Sequence, residues 1–396
     1  MHIGMILDKP FPPDPRVENE AVYLTKQGHQ VTLFCLTYHK NHIGESDYKG
    51  FKVVRYLSNK WLYKFSALAY TLPMYRYGMG QLISEFIQAY KPAVLHVHDV
   101  QVMGAVEHAN SSNIPVVLDL HENRPAIMPY YAHLKKGLGK AVISIAQWKK
   151  AEEKFVNTVC KTIVVTQEAK QELLTRTQVK KQNIHVVPNT VLQSFYENIQ
   201  LNNTIVNKYK KHFAVLYIGD TALRRGLLTV INAIPTIVKS IPNFKLVIVG
   251  TSTEEVVLRK TVKDLDIEAF VDFEGWQDTS TFQSYITAAS VCISPLHRNL
   301  HHDTTYANKI FQYASLGTPL LISDAIAQKN WVENYQVGLV HKAEDSIDFI
   351  NKLLTMYVDN LLLAKMGANG KQIVREKYYW EQTAKNLDVL YNTIQK

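Results

Sequence analysis

The sequence predicts an α/β protein built from two doubly wound parallel-sheet halves. Three observations carry that expectation. Short apolar or β-branched runs alternate with amphipathic stretches, the order that a parallel sheet covered by helices on both faces requires. The alternation restarts after a polar, Asn-rich interval at 190–211, and 396 residues are too many for one ordinary core. The composition, 46% apolar and 20% charged, is that of a folded chain and excludes disordered and collagen-like classes.

The elements follow in order. Residues 2–7 read as a buried strand. Residues 17–26 have helical periodicity, closed by Gly28. Strands are expected at 30–36, 52–56, 94–97, 116–120, 162–166 and 185–187. In the second half a strand over 214–218 runs into a turn at 219–226 and a helix over 227–240. Strands at 245–249, 271–274, 291–294 and 319–322 follow, with a helix over 310–316 that stops at Gly317.

Cys35, Cys160 and Cys292 contain no CxxC pair, which excludes a disulfide scaffold and a zinc ribbon. Each lies in an apolar run and is expected to be buried. The first seven residues lack a basic segment, and Asp8 and Lys9 come too early for a signal peptide. No window reaches the ~18–20 apolar residues of a membrane span. A cytoplasmic protein is expected. The net charge of +9 is uneven: residues 51–150 hold 12 basic and 5 acidic side chains, residues 251–350 hold 7 and 14. That split argues against a nucleic-acid coat. It fits either an anionic partner for the first half, such as a membrane surface, or a solvated basic face.

Ligands of open parallel sheets bind beyond the carboxyl ends of the strands, so four loops are candidates. In the first, Asp8 to Arg16, four prolines stiffen the chain, and Glu18 and Glu20 follow in the early helix, where acids favour the dipole. There is no GxGxxG; a rigid connector and a wall against substrate are both open. In the second, Asp119, His121, Glu122, Asn123 and Arg124 crowd a strand end. His121 can donate to a sugar hydroxyl or a phosphate, oriented by Asp119 or Glu122; a local capping network is the alternative. His96 and His98, one strand earlier, have a spacing open to metal, but strand-end alternation fits substrate contact or packing better.

The third loop runs from Gly219 through Arg224 and Arg225 to Gly226. Exposed N–H groups, a helix start and arginines suit a diphosphate, although no Gly-Lys-Ser/Thr follows and a surface arginine pair is the alternative. The fourth runs from His301 to Lys309. Asn308 suits an N-cap, Lys309 adds charge at a helix start, and Gln312 stands one turn in, within reach of a ribose hydroxyl.

Taken together these segments resemble the retaining glycosyltransferases of family 4. The resemblance runs along nearly the whole chain. It includes Pro12-Pro13-Asp14-Pro15-Arg16-Val17-Glu18-Asn19-Glu20-Ala21, Gly28-His29-Gln30-Val31, Asp119-Leu120-His121-Glu122, Val187-Pro188-Asn189 and Arg225-Gly226. Its strongest part is Asn308-Lys309-Ile310-Phe311-Gln312-Tyr313-Ala314-Ser315-Leu316-Gly317-Thr318-Pro319. The resemblance implies the GT-B arrangement, two facing Rossmann-like domains with a deep cleft. These would be an acceptor-binding domain at 1–190, a nucleotide-sugar domain at 212–375, and a tail at 376–396 returning to the first.

It also implies site roles. Arg225, with Arg224 and Gly219, would hold the donor diphosphate. Asn308 and Lys309 would meet it at a second helix end, Gln312 would reach the ribose, and His121 would face the sugar. The family's paired glutamates read here as Thr304 and Gln312. A UDP- or GDP-linked sugar is implied as substrate, with no cofactor and, in the absence of an Asp-x-Asp motif, no metal. The acceptor would be a glycan or a lipid-linked glycan. The aromatic and cationic stretch Lys60-Trp61-Leu62-Tyr63-Lys64-Phe65 suits peripheral contact with an anionic membrane on the inner face of the cell membrane, or simply packs on the sheet. Gln312 in place of glutamate leaves open a catalytically inactive binding or assembly partner.

Overall fold

The computed structural model describes residues 1–131, 134 and 142–394, with the side chain of Lys60 left aside. It comprises two compact units, Met1–Asn189 with Ala384–Lys396, and Thr190–Thr383.

The first unit is an eight-stranded sheet: β1 His2–Pro10, β2 Gln30–Thr37, β3 Gly44–Tyr48, β4 Phe51–Leu57, β5 Val94–His98, β6 Val116–Leu120, β7 Lys161–Val164 and β8 Ile184–Val186. The spatial order is β3-β4-β2-β1-β5-β6-β7-β8. All neighbours are parallel except β3, which returns antiparallel along β4. The order reverses between β1 and β5, so the loops that follow Pro10 and His98 flank the switch point where α/β sheets hold ligands. One core face is built by Phe34, Phe86, Val97, Leu118 and Trp148. The helix Lys385–Ile394 belongs to this unit. Tyr391 bonds His96 at 2.8 Å, and Asp388 accepts from Tyr23 at 2.6 Å.

The second unit is a six-stranded parallel sheet: β9 Phe213–Ile218, β10 Phe244–Val249, β11 Val271–Gly275, β12 Val291–Ser294, β13 Leu320–Ser323 and β14 Gly338–His341. Its order, β11-β10-β9-β12-β13-β14, reverses between β9 and β12. Both faces are covered. Leu216, Phe311 and Trp331 lie in one cluster, and Val215, Ile234 and Phe349 in the other. This is why β9 and β12 are buried along their whole length.

Three expectations need correction. The interval 190–211 is no bare connector. It carries the helices Gln193–Glu197 and Asn203–Tyr209, whose Tyr196 and Tyr209 are buried in the second unit. The second unit therefore starts at Thr190 and runs to Thr383, and the tail of the first starts at Ala384 rather than at 376. Cys35 and Cys292 are buried, but Cys160 is only partly so; its thiol donates to the Val116 carbonyl at 2.9 Å. Among the described residues no helix is long and apolar enough to cross a membrane.

Candidate functional site

In the first unit the site begins with a helix cap. Asp14 accepts from the Val17 amide at 3.1 Å and Pro15 opens the helix Pro15–Lys26, which fixes Arg16 in its first turn. Arg16 is buried and forks onto Asp119 at the end of β6, with Nε–Oδ2 at 2.8 Å and Nη2–Oδ1 at 2.7 Å. Its third contact is the Val187 carbonyl at 3.2 Å. Burial alone would raise the Asp119 pKa, but Arg16 and then His121 hold it well below the usual carboxylate range.

His121 stands on this carboxylate. Its Nε2 lies 2.9 Å from Asp119 Oδ2, its Nδ1 lies 3.8 Å from Asp99 Oδ2, and its backbone N–H donates to Asp99 at 3.3 Å. Burial opposes its charge, yet Asp99 and Asp119 lift its pKa to about 9. His121 is therefore an imidazolium at neutral pH, 16% exposed, a charged donor at a loop tip. Glu122 pairs with Arg124 at 3.2 Å.

Behind the histidine lies a buried cluster. Glu20, His96, His98 and Asp119 bring one ligand atom each within 4.8 Å of one another. The Arg16 guanidinium already sits there, 3.1 Å from Glu20 and 2.7 Å from Asp119, so a metal cation would face an adjacent fixed positive charge. His96 is kept neutral by burial and by His98. Glu20 is not the dipole-favouring anion expected. Burial, and then the Asp119 charge, push its pKa up to about 8, so it is protonated at neutral pH. Folding then costs a proton uptake that grows from pH 4.5 and levels off near 8, as stability is lost through the raised folded value. Glu20→Gln should be more stable than the native chain, with a margin in urea unfolding that widens from pH 5 to pH 8. A margin independent of pH would mean that Glu20 is ionised.

In the second unit the loop after β9 starts at Gly219 (φ +133°), where a Cβ would stand 3.4 Å from Lys309 Nζ. Gly226 (φ +80°) opens the helix Leu227–Ser240 so close to the Pro295 carbonyl that a Cβ would lie 1.7 Å from its oxygen, which admits glycine alone. Between them Arg224 and Arg225 each lie 3.5 Å from Asp220. Arg224 also bonds His302 at 3.0 Å. Burial, and then the neighbouring His302, hold the His301 pKa down to about 2. Burial and the arginines hold His302 down to about 3, so both imidazoles are neutral.

Lys309 opens the helix Lys309–Leu316 at the other side of the switch point. Its ammonium lies 3.4 Å from the centre of the Tyr217 ring, and no carboxylate among the described residues pairs with it. Burial, followed by the Arg225 charge, holds its pKa well below the usual lysine range. Asn308 occupies the cap position, but its backbone is already helical (φ −48°) and its side chain makes no capping bond, so the expected cap role fails. Gln312 is half-buried, and its amide has no partner among the described residues. Two helix starts, Arg224, Arg225 and Lys309 meet Asp220 here, with Glu254 accepting from the Leu223 amide at 2.9 Å, and the excess of cations suits an anion.

The model of Glycosyltransferase Family 4 matches residues 16–192, and that of Glycosyl transferases group 1 matches residues 198–373. The chain belongs to this glycosyltransferase family. It is 25% identical over 166 residues to a GDP-mannose-dependent alpha-(1-6)-phosphatidylinositol monomannoside mannosyltransferase of Mycobacterium tuberculosis, covering 41% of this chain and 43% of that one. It is 23% identical over 245 residues to the capsular polysaccharide biosynthesis glycosyltransferase CapM of Staphylococcus aureus, covering 59% and 62%. The chain therefore matches about half the length of these relatives. Among solved structures, Anabaena Alr3699/HepE in complex with UDP superposes with a TM-score of 0.73 at 13% identity, over 99% of this chain and 100% of that one. The fold is GT-B.

Within this family member the structure gathers Gly219, Arg224, Arg225 and Lys309 at one switch point, with Asn308 beside Lys309 and Gln312 one turn on. His121 is held separately, in the first unit. Thr304 is buried and donates to the Leu300 carbonyl at 2.7 Å, so it is committed to its own helix end. Sequence reasoning missed the Arg16–Asp119 fork, Asp99 as a partner of His121, and the Tyr217 ring under Lys309. A Pro-Arg helix start paired with a strand-end aspartate is a usable signal for the first; Tyr217 read as a strand residue and, in Tyr217-Ile218-Gly219, as part of the family resemblance, with nothing local to bring Lys309 onto its ring.

Proposed function

We propose that the chain is a retaining glycosyltransferase that moves a sugar from a UDP- or GDP-linked donor to a glycan or lipid-linked acceptor in cell-surface polysaccharide or glycolipid synthesis. The observation that carries this reading is the Lys309 ammonium, beside Arg225 and with no carboxylate paired to it among the described residues. Breaking a sugar–phosphate bond builds negative charge on the leaving diphosphate and oxocarbenium character on the sugar. Arg225, assisted by Arg224, and Lys309 with its helix-end amides stabilise that developing charge without a protein-bound metal. Asn308 borders the same anion, and Gln312 hydrogen-bonds the ribose. The His121 imidazolium donates to a sugar hydroxyl. Retention follows from the leaving phosphate assisting deprotonation of the acceptor on the same face.

The relatives' printed activities, mannosyl transfer to a phosphatidylinositol glycolipid and capsular polysaccharide synthesis, support the acceptor class. The exposed aromatics Trp61, Tyr63 and Tyr77 support peripheral contact with a membrane on the cytoplasmic side.

The test is a thermal-shift panel of UDP-, GDP-, ADP- and TDP-sugars. One nucleotide should raise the melting temperature by mass action and so name the base; no shift with any of them would overturn the donor reading. The Gln312 amide favours a second reading, an inactive partner, because it lacks the charge that strengthens a hydrogen bond to ribose. Gln312→Glu should tighten nucleotide binding about fivefold in calorimetry, since a charged acceptor adds about 1 kcal/mol. Unchanged affinity would remove Gln312 from the ribose contact.

A further inference from the structure

Asp99 has a backbone conformation that its residue type resists. It directly follows β5, with φ 67° and ψ 153°. Lys91 and Gln336 also have positive φ, but with ψ of 55° and 43° they are in the ordinary left-handed conformation, each closing a helix. Asp99 lies outside that basin, in a region that essentially glycine alone adopts, because a Cβ there crowds the backbone. Such a residue persists only where its surroundings hold it. On one side is His98, the buried end of β5. On the other, Val100 and Val102 are wholly buried, and the Val100 carbonyl accepts from the Tyr70 hydroxyl.

The strain has a consequence in the ladder. β5 and β6 pair in parallel as far as His98 and Asp119, and the Asp99 N–H still donates to the Asp119 carbonyl at 2.8 Å. The next bond of a parallel ladder would run from the His121 N–H to the Asp99 carbonyl. Here the His121 N–H donates instead to the Asp99 carboxylate, at 3.3 Å from Oδ1. The positive φ turns the side chain of Asp99 to the place that its own carbonyl would take. The second oxygen, Oδ2, then stands 3.8 Å from His121 Nδ1. One carboxylate therefore ends the ladder, holds the loop and faces the ring. An ordinary strand residue at 99 would hold the same amide with its carbonyl and bring no charge to the ring.

We infer that Asp99 is a positioning residue for His121, held in a strained backbone because there one carboxylate meets both the amide and the ring of the histidine. The step that His121 serves, donation to a sugar hydroxyl, rests on the transferase reading. Asp119 takes Nε2 at 2.9 Å, while Asp99 faces Nδ1 from a distance too long for a direct hydrogen bond. The Nδ1 proton is thereby held charged and aimed but left to a hydroxyl. Strain at this position is the cost of that arrangement, and glycine, which would fold there more easily, could not supply it.

Three substitutions in the full chain separate strain from charge. In an ordinary backbone conformation alanine is more stable than glycine. At 99 the order should invert, with Asp99→Gly melting about 2–4 °C above Asp99→Ala. Asp99→Asn keeps an oxygen for the His121 N–H and removes the charge. Its His121 amide should stay protected from hydrogen exchange, while the ring pKa, followed by NMR, should fall by about one unit or more. In Asp99→Ala the pKa should fall likewise, and the amide should exchange at least tenfold faster. His98, 3.2 Å from Nε2, and the charges of Asp119, Arg16 and Asp14 also act on this ring, and all remain in the variants. Thermal shifts with UDP-glucose against UDP, and GDP-mannose against GDP, read the sugar contact. The excess shift due to the sugar should shrink in Asp99→Asn, with the shift of the bare nucleotide unchanged. Alanine melting at or above glycine would overturn the strain. A native His121 titration and amide exchange in Asp99→Ala would overturn the positioning, and an undiminished sugar excess in Asp99→Asn would overturn its bearing on the sugar. No shift with any nucleotide in the native chain, beside an inverted melting order and an altered titration, would remove the donor reading and leave Asp99 as the residue that holds His121.

Discussion

Lys309→Met is expected to make the unliganded protein more stable and at the same time to abolish its response to the donor nucleotide. The two effects share one cause. The native ammonium is buried over Tyr217 beside Arg225, with no acid paired to it among the described residues. Its depressed pKa is an energetic cost of folding. That cost is absent above about pH 10.5, where the unfolded lysine is also neutral, and it grows as pH falls towards the folded value. Methionine fills the same space without the charge. A gain of roughly 1 kcal/mol at pH 7, or about 2–4 °C, is expected in a thermal melt. The donor diphosphate is what the cation is kept for. Loss of a preorganised cation at a leaving group should lower transfer by about 10²–10³-fold, and the nucleotide-induced rise in melting temperature should disappear. A melting temperature that falls on substitution, with the nucleotide shift intact, would show that Lys309 is structural.

How far the sequence revealed this protein depended on how local each interaction is. The parallel strands were legible because a strand buried on both faces must be apolar throughout, as β9 and β12 are. β3 was not, because Gly44–Tyr48 is a polar edge hairpin, paired on one side only and largely exposed. β14 also escaped, its Gly338–Val340 portion being half-buried at the other sheet's edge. The two helices within 190–211 were hidden by their short length and polar surfaces; only single residues such as Tyr196 and Tyr209 anchor them. The loops of the candidate site were legible because strand ends followed by helix starts advertise themselves. The electrostatics were not. Arg16 and Asp119 are 103 positions apart, and Glu20, an ordinary first-turn acid in sequence, becomes a neutral buried group only once Asp119 is folded against it. The same loop spacing that pointed to His121 could not show that it is charged, because Asp99 arrives from a different strand.

Asp119→Asn is the variant in which that electrostatic arrangement should fail. Asparagine keeps the shape of the side chain and can still accept from Arg16, but the buried guanidinium loses its counter-ion and the charge on His121 loses one of its two carboxylates. Removing one partner of a buried pair costs about 3 kcal/mol or more, because the other charge stays buried. The pH dependence has a definite sign. The depressed Asp119 pKa contributes stability above about pH 3.8, lost as pH falls through the folded value. The raised His121 pKa contributes stability that is full below about pH 6.5 and lost as pH rises through about 9. Urea unfolding should therefore separate native and variant most between about pH 4 and 6.5, with a narrowing gap towards pH 9. In the variant, the His121 pKa followed by NMR should fall from about 9 towards the ordinary histidine range. Glu20 should ionise more readily, since the Asp119 charge that opposes it is gone and Arg16 is left to attract it. An unchanged histidine titration would mean that Asp99 alone sustains the imidazolium. An unchanged unfolding free energy would mean that Glu20 takes over as the counter-ion of Arg16 at no net cost, and that the fork onto Asp119 is not what holds this helix start to the sheet.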